Sequence, residues 1–194
     1  MAEQLIPQDA KGDSSLQLAG VVRRSFGNFP VKEFQPGILD QSPYYTVARM
    51  PTREHDIWAT ADGVGTKPEL AERLYTETGD SSVFEGLAYD TVAMIEGDEA
   101  RFGRILLGIT NVLDVNSAED TQVMAALSTG LERVAQEGRF IVMNGETAEL
   151  GYRVSGYGKT RVNWNMTGIS LVIPEKIITG KELAPGQPVV ALQE

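Results

Sequence analysis

The hydrophobic pattern divides this chain near residue 40. Before that point polar residues dominate, and Gly12, Gly27, Pro30, Pro36 and Gly37 interrupt any regular spacing. Only Leu16 to Phe26 carries an amphipathic helical spacing there. Residues 1–40 therefore read as a polar arm, ordered where it docks, and 41–194 as the folded domain. From Tyr44 onward the pattern becomes regular. Tyr44 to Met50 and Asp56 to Asp62 read as strands separated by Pro51, Thr52 and charged residues. Pro68 suits the first turn of a helix, with Thr66 as its cap and Gly79 as its stop. Ser82-Val-Phe-Glu85 has the form of a capping box. Phe84, Leu87, Ala88, Thr91 and Ile95 then share one helical face. Arg104 to Thr110 reads as a compact strand. Asn116 or Ser117 is placed to cap a helix with the apolar face Val123, Leu127, Leu131 and Val134, ending at Gly138. Phe140 to Met143 reads as a short buried strand, and Gly151 to Lys159 as a Gly-rich mobile loop. Met166 to Ile173 and Val189 to Leu192 complete the strands. Strands and helices interleave, so the expected class is mixed α/β around one core. An apolar strand so close to Glu194 reads as a trimmed domain or an unusual natural truncation.

Composition narrows the function classes. The 194 residues include 17 basic and 27 acidic side chains, a net charge of −10. That balance speaks against a general nucleic-acid binder, which needs a basic face to release counterions. A hydrophobic fraction of 42% is enough for a packed core, so a wholly disordered chain is not expected. The absence of cysteine excludes disulfide frameworks, zinc–thiolate sites and thiol nucleophiles. No apolar run approaches a membrane span, and the N-terminus has no secretory pattern. A cytoplasmic protein without membrane partners is the expectation.

Two short stretches carry most of the candidate chemistry. In Asp62-Gly63-Val64-Gly65-Thr66-Lys67 a strand delivers a carboxylate, glycines follow, and a hydroxyl and an ammonium open a helix. Such a turn either receives phosphate at the helix N-terminus or is simply a tight connection with solvated ends. It is not a P-loop, because the spacing differs. In Gly145-Glu146-Thr147-Ala148-Glu149 two carboxylates follow an apolar strand, as a metal or nucleotide contact or as a polar loop. Glu96-Gly97-Asp98-Glu99 places acids at a helix C-terminus, where they oppose the macrodipole unless a cation joins them. A solvated acidic turn is the other reading. His55 reads as a surface residue, Trp58 and Trp164 as core or interface. Lys159 and Arg161 read as solvated loop positions or phosphate contacts.

Taken together, these residues resemble the aminoimidazole ribonucleotide (AIR) synthetase family, the phosphoribosylformylglycinamidine cyclo-ligases. Asp62 to Lys67 and Gly145 to Glu149 resemble two of its motifs, and Val92-Ala93-Met94 with Asp98 resembles a family helix ending in asparagine-aspartate. Thr167-Gly168 and Glu175 to Ile178 resemble the strand and turn closing its N-terminal half. The chain departs from the pattern at Gly97, Thr110, Asn144, Asn163 and Asn165, and the family's C-terminal half is absent. The resemblance implies the family's N-terminal ATP-binding domain: a four-stranded sheet with helices on one face, completing a barrel in a homodimer. It implies ATP and Mg2+ as cofactors and a phosphoribosyl-amidine nucleotide as the small-molecule substrate. Asp62, Asp98 and Glu146 become magnesium candidates. Gly63, Gly65, Thr66 and Lys67 become phosphate contacts, and Glu149 a further nucleotide-site candidate. No catalytic residue is assigned. The implied reaction is ATP-driven ring closure; the alternatives are a non-catalytic nucleotide-binding or dimerisation module, or another phosphotransferase of the same fold.

Overall fold

The computed structural model describes the backbone of Gly37–Gln41 and Thr46–Pro51 and all of residues 54–191. The expected amphipathic segment Leu16 to Phe26, and the arm up to residue 36, lie outside the described residues. Among the described residues, six strands and three α-helices follow in the order β1 (Gly37–Gln41), β2 (Thr46–Pro51), β3 (Asp56–Gly63), α1 (Lys67–Thr78), α2 (Gly86–Ala100), β4 (Ile105–Val115), α3 (Thr121–Gly138), β5 (Ile141–Glu149) and β6 (Val162–Val172). β1 starts inside the segment assigned to the arm.

The sheet order is β1-β2-β3-β6-β4-β5. Its body is the four-stranded unit β3-β6-β4-β5, a mixed α/β arrangement as expected. The hairpin β1–β2 reaches it through two pairs, Met50 with Ile57 and Pro51 with Asp56. β6 runs antiparallel to both neighbours. β4 and β5 are parallel and joined through α3, since parallel neighbours need a crossover rather than a hairpin.

Alternation along β6 sets the two faces of the sheet. Val162, Trp164, Met166, Gly168, Ser170 and Val172 are buried, while Asn163 and Asn165 between them are exposed. The buried face shares one core with the helices, including Ile95, Ile109, Leu113, Leu127 and Phe84. The other face is open. It carries Ile57, Leu107, Val112 and Ile141, the last 63% exposed.

Local chemistry explains the boundaries. α1 stops at Gly79, which takes φ +71° and donates its N–H to the Tyr75 carbonyl at 2.8 Å. Thr66 occupies the cap position of α1 without a side-chain bond. The capping box expected at Ser82 to Glu85 does not form. Asp80 instead accepts the Ser82 N–H and caps a 3-10 turn, Ser81–Phe84, and α2 begins only at Gly86. α3 is capped by Asp120, not Asn116 or Ser117; Asp120 accepts the Val123 N–H at 3.3 Å.

Three strand expectations need correction. β4 and β6 each run 11 residues, well past the segments first assigned. β5 is an exposed edge strand of nine residues rather than a short buried one, and Phe140, which is buried, precedes it. No strand forms over residues 187–191, where Val189 is 97% exposed. No helix of the described residues is long and apolar enough to cross a membrane.

Candidate functional site

At one end of the helix-covered face, β3 passes into α1 through Asp62 to Thr66. Val64 is buried and donates its N–H to the Trp164 carbonyl at 2.9 Å, which fixes the turn to the end of β6. Gly65 adopts φ +64° with open space around it, so backbone conformation rather than crowding demands glycine there. Asp62 turns back on its own strand, where Oδ1 accepts the Gly63 N–H at 2.7 Å. Gly65 and Thr66 open onto a polar cleft of about 330 Å³. Its other walls are Glu69 of α1, Asp114 and Asn163 from the strand ends, and Arg153, Val154 and Ser155. Asn163 Nδ2 donates to Asp114 Oδ2 at 3.4 Å. Pro68 has no N–H and that of Glu69 donates to the Thr66 carbonyl at 3.1 Å, so the amides of the turn itself, Gly65 to Lys67, and the Arg153 guanidinium are what suit the cleft to an anionic group. Glu69 and Asp114 leave room for the donors of a polar ligand.

The candidate residues divide sharply. Gly65 and Thr66 line the cleft; Gly63 lies just behind it in β3. Lys67 turns away and forms an ion pair with Asp90 of α2. Both partners are substantially exposed, so the pair contributes little to stability. The three carboxylates expected to share magnesium do not gather. Register decides this. Asp62 pairs with Met166 and points to the helix-covered face. Glu146 pairs with Val112, which in turn faces the exposed Asn165, and so projects from the open face. Asp98 sits by the far end of the sheet. Its neighbour Glu99 bonds Ser170, four residues along β6 from Met166, or roughly 13 Å at the strand rise. Among the described residues, no three His, Asp or Glu side chains are grouped to hold a metal ion. Magnesium coordination by this trio does not fit the arrangement of the chain.

The second motif is strand, not a polar loop. Gly145 sits where any side chain would strike Asn111, whose amide lies across it. Asn111 Oδ1 accepts the Trp164 indole N–H at 3.1 Å, so this glycine serves packing. Glu149 Oε2 accepts the Ala118 N–H at 3.3 Å and ties the end of β5 to the loop before α3.

The acidic end of α2 is closed rather than open to a cation from outside. Glu99 is buried and meets Arg104 at 2.8 Å. The Ser170 hydroxyl donates to Glu99 Oε2 at 2.5 Å, and Arg104 Nη2 donates to the Asp98 carbonyl at 2.7 Å. Burial lowers the Arg104 pKa from its ordinary value, with Glu99 opposing the shift. The guanidinium also lies over Trp58, 4.5 Å from the ring centre.

Arg153, Ser155 and Asp114 were not singled out by the sequence. Arg153 and Ser155 fall in the Gly-rich segment, where basic and hydroxyl side chains beside glycines were the available signal. Arg161, considered there as a phosphate contact, instead donates through Nε to the Val154 carbonyl at 3.0 Å. Lys159 is not part of the cleft lining.

Residues 44–170 match the family described as AIR synthase related protein, N-terminal domain. The phosphoribosylformylglycinamidine cyclo-ligase of Thermococcus kodakarensis is 25% identical over 180 residues, 93% of this chain and 50% of that protein. The enzyme of the same name from Pyrococcus furiosus is 28% identical over 133 residues, 69% of this chain and 36% of that protein. The chain spans about half, or less, of the length of these curated relatives. Among solved structures, AaThiL complexed with AMPPCP and TMP superposes with a TM-score of 0.54 at 9% identity, covering 88% of this chain and 45% of the other. Hydrogenase maturation protein HypE in complex with ATP gives a TM-score of 0.50 at 15% identity, covering 85% and 44%. At these identities the structures speak for the fold.

Proposed function

This chain belongs to the AIR synthase related family, as its N-terminal domain, and from that premise we propose that it is an ATP-binding domain of an ATP-dependent cyclo-ligase of purine biosynthesis. The reaction would close formylglycinamidine ribonucleotide to aminoimidazole ribonucleotide. One observation supports the ATP site most strongly: Gly65 and Thr66 open into the same cleft as Arg153. The amides of the turn from Gly65 to Lys67 and the Arg153 cation would hold the phosphate chain. Asp114 and Asn163 would orient polar groups beside it. Bound ATP supplies the phosphoryl group that converts an amide oxygen into a leaving group for attack by nitrogen. The domain's part in that chemistry is to position and to neutralise charge, not to provide a strong base. Gly63 shapes the turn, while Lys67 and Glu149 do not line the cleft. Magnesium would reach such a site with the nucleotide.

Calorimetric titration with ATP tests this reading. Binding by the wild-type chain and a roughly tenfold loss in Arg153→Ala are expected, the scale of one charge-assisted contact. No binding at millimolar ATP, or identical affinity in the variant, counts against it.

Two further features belong to the same proposal. The open face of the sheet, with Ile57, Leu107, Val112 and Ile141 exposed, would meet a second copy of the chain in a closed barrel. Light scattering over a dilution series would then exceed the monomer mass of 21.1 kDa. The dispersal of Asp62, Asp98 and Glu146 favours a second reading, in which this chain binds nucleotide and associates without catalysing ring closure. ATP binding without product formation from the amidine substrate would support that reading over the first.

A further inference from the structure

The cleft has two walls that both depend on α1. One is the start of the helix itself, at Thr66, Pro68 and Glu69. The other, carrying Arg153 and Ser155, belongs to the segment between β5 and β6. That second wall is held to α1 by a buried carboxylate. Glu72 is 2% exposed, and its Oε1 accepts the backbone N–H groups of Lys159 at 2.5 Å and Thr160 at 3.1 Å. Its other oxygen is buried with no partner. The bend past it is possible only because residue 158 is glycine. Gly158 adopts φ +81°, and a Cβ there would overlap the Glu72 side chain. Beside it, the Arg73 guanidinium lies over the Tyr157 ring at 4.2 Å.

From the sheet side Asn116 grips the same stretch. Its Nδ2 donates to the Lys159 carbonyl at 3.1 Å, and its Oδ1 accepts the Arg161 N–H at 2.5 Å. Arg161 in turn donates to the carbonyl of Val154, the buried residue between Arg153 and Ser155. An unbroken set of contacts therefore runs from Glu72 to the cleft wall.

We propose that Glu72 is the positioning residue of the cleft: it pins the segment 158–160 to α1 and thereby sets where Arg153 and Ser155 stand. This rests on the reading of the cleft as the ATP site. A carboxylate suits the task because two converging amide donors need an acceptor with full negative charge and no N–H of its own. A half-satisfied buried carboxylate is otherwise unfavourable in a surface helix, and the amides of residues 159 and 160 offset that cost. Cleft geometry and loop docking are in this way one property of α1.

The test uses the full chain with Glu72→Ala and Glu72→Gln, read by limited trypsin digestion and by calorimetry with ATP. Trypsin has targets at Arg153, Lys159 and Arg161 within the pinned segment. In Glu72→Ala, cleavage at these sites should rise about tenfold and ATP affinity should fall about tenfold. Glu72→Gln keeps one acceptor oxygen and should recover part of both. Ser170→Ala, which weakens the fold at the far end of the sheet, should change neither readout at a temperature where it stays folded. If Glu72→Ala does not fold, Gly158→Ala releases the same segment from the other side and should show the same two changes. Unaltered cleavage in a folded Glu72→Ala overturns the pinning. Faster cleavage with unaltered ATP affinity overturns the positioning role. If the wild-type chain itself fails to bind ATP, the assignment of the cleft falls, while the digestion still decides whether Glu72 holds the segment.

Discussion

Glu72 and Glu99 sit on neighbouring helices, each 2% exposed and each with one carboxylate oxygen lacking a hydrogen-bond partner. Their other oxygens are held in contrasting ways. Glu99, on α2, meets the buried guanidinium of Arg104, the residue just before β4, and the hydroxyl of Ser170 in β6. Glu72 meets two backbone amides of a connecting segment. A buried charge is tolerable wherever donors converge on it, but the partners decide what breaks when it is removed. Around Glu99 the loss is global, because α2, β4 and β6 all meet there. Around Glu72 the loss is local, since the segment can lift while the core stays packed.

The largest expected effect tests the rigid member of this pair. Arg104→Met leaves Glu99 buried and unpaired and should cost about 3–5 kcal/mol in urea denaturation. Adding Glu99→Leu should recover most of that loss, because an apolar pair of similar volume removes the unpaired charge. A single-variant loss under 1 kcal/mol would place Glu99 in contact with solvent and erase the contrast. Next comes Ser170→Ala, which withdraws a hydroxyl from the same carboxylate. Denaturation should register about 1.5–3 kcal/mol, the range for hydrogen bonds to charged groups. Third, Gly158→Ala places a side chain at φ +81°, with local strain of about 1–3 kcal/mol. Its signature should be faster amide exchange over residues 153–161, with a denaturation midpoint nearly that of wild type. A midpoint shift as large as that of Ser170→Ala would make the two ends of the sheet alike.

The smallest effect is a pH dependence outside both sites. Hydrogen bonding from Ser82 holds the Asp80 carboxyl below its ordinary value of 3.8. A depressed folded-state value means the stabilisation is present above the unfolded value and is lost as pH falls through the folded one. The melting temperature should therefore decline as pH drops below about 4, with a slightly shallower decline in Asp80→Asn.

Much of the scaffold could be read from the chain. Leu87, Ala88, Thr91 and Ile95 all face the core, as their spacing requires. Val123, Leu127 and Val134 do the same in α3. The strands were underread for a physical reason. In β6, Asn163 and Asn165 face solvent between Val162, Trp164 and Met166, and polar residues on an open face look like loop residues. In β5, Gly145 suggested a turn, whereas it accommodates the Asn111 amide from the next strand. The magnesium trio illustrates the limit most clearly. Which face Asp62 and Glu146 point to depends on the register of β3 with β6 and of β4 with β5. A slip of one residue reverses it, and neither pairing is local in sequence. The cleft was legible on one side only. Gly65 and Thr66 belong to a contiguous motif, but Arg153 arrives through Glu72 and Asn116, whose partners lie far along the chain.

The position of β6 also governs how this molecule can be made. It stands between β3 and β4 and hydrogen-bonds to both, yet it is the final strand of the described sheet. Asp56 meets Val172 across a separation on the order of a hundred residues. At ribosomal speed, β3 waits on the order of ten seconds for the strand that completes its pairing. Once β4 and β5 have also been made, late in that interval, the nascent polypeptide holds two unjoined half-sheets. The sheet is completed only when Val162–Val172 emerges and slots between the two halves.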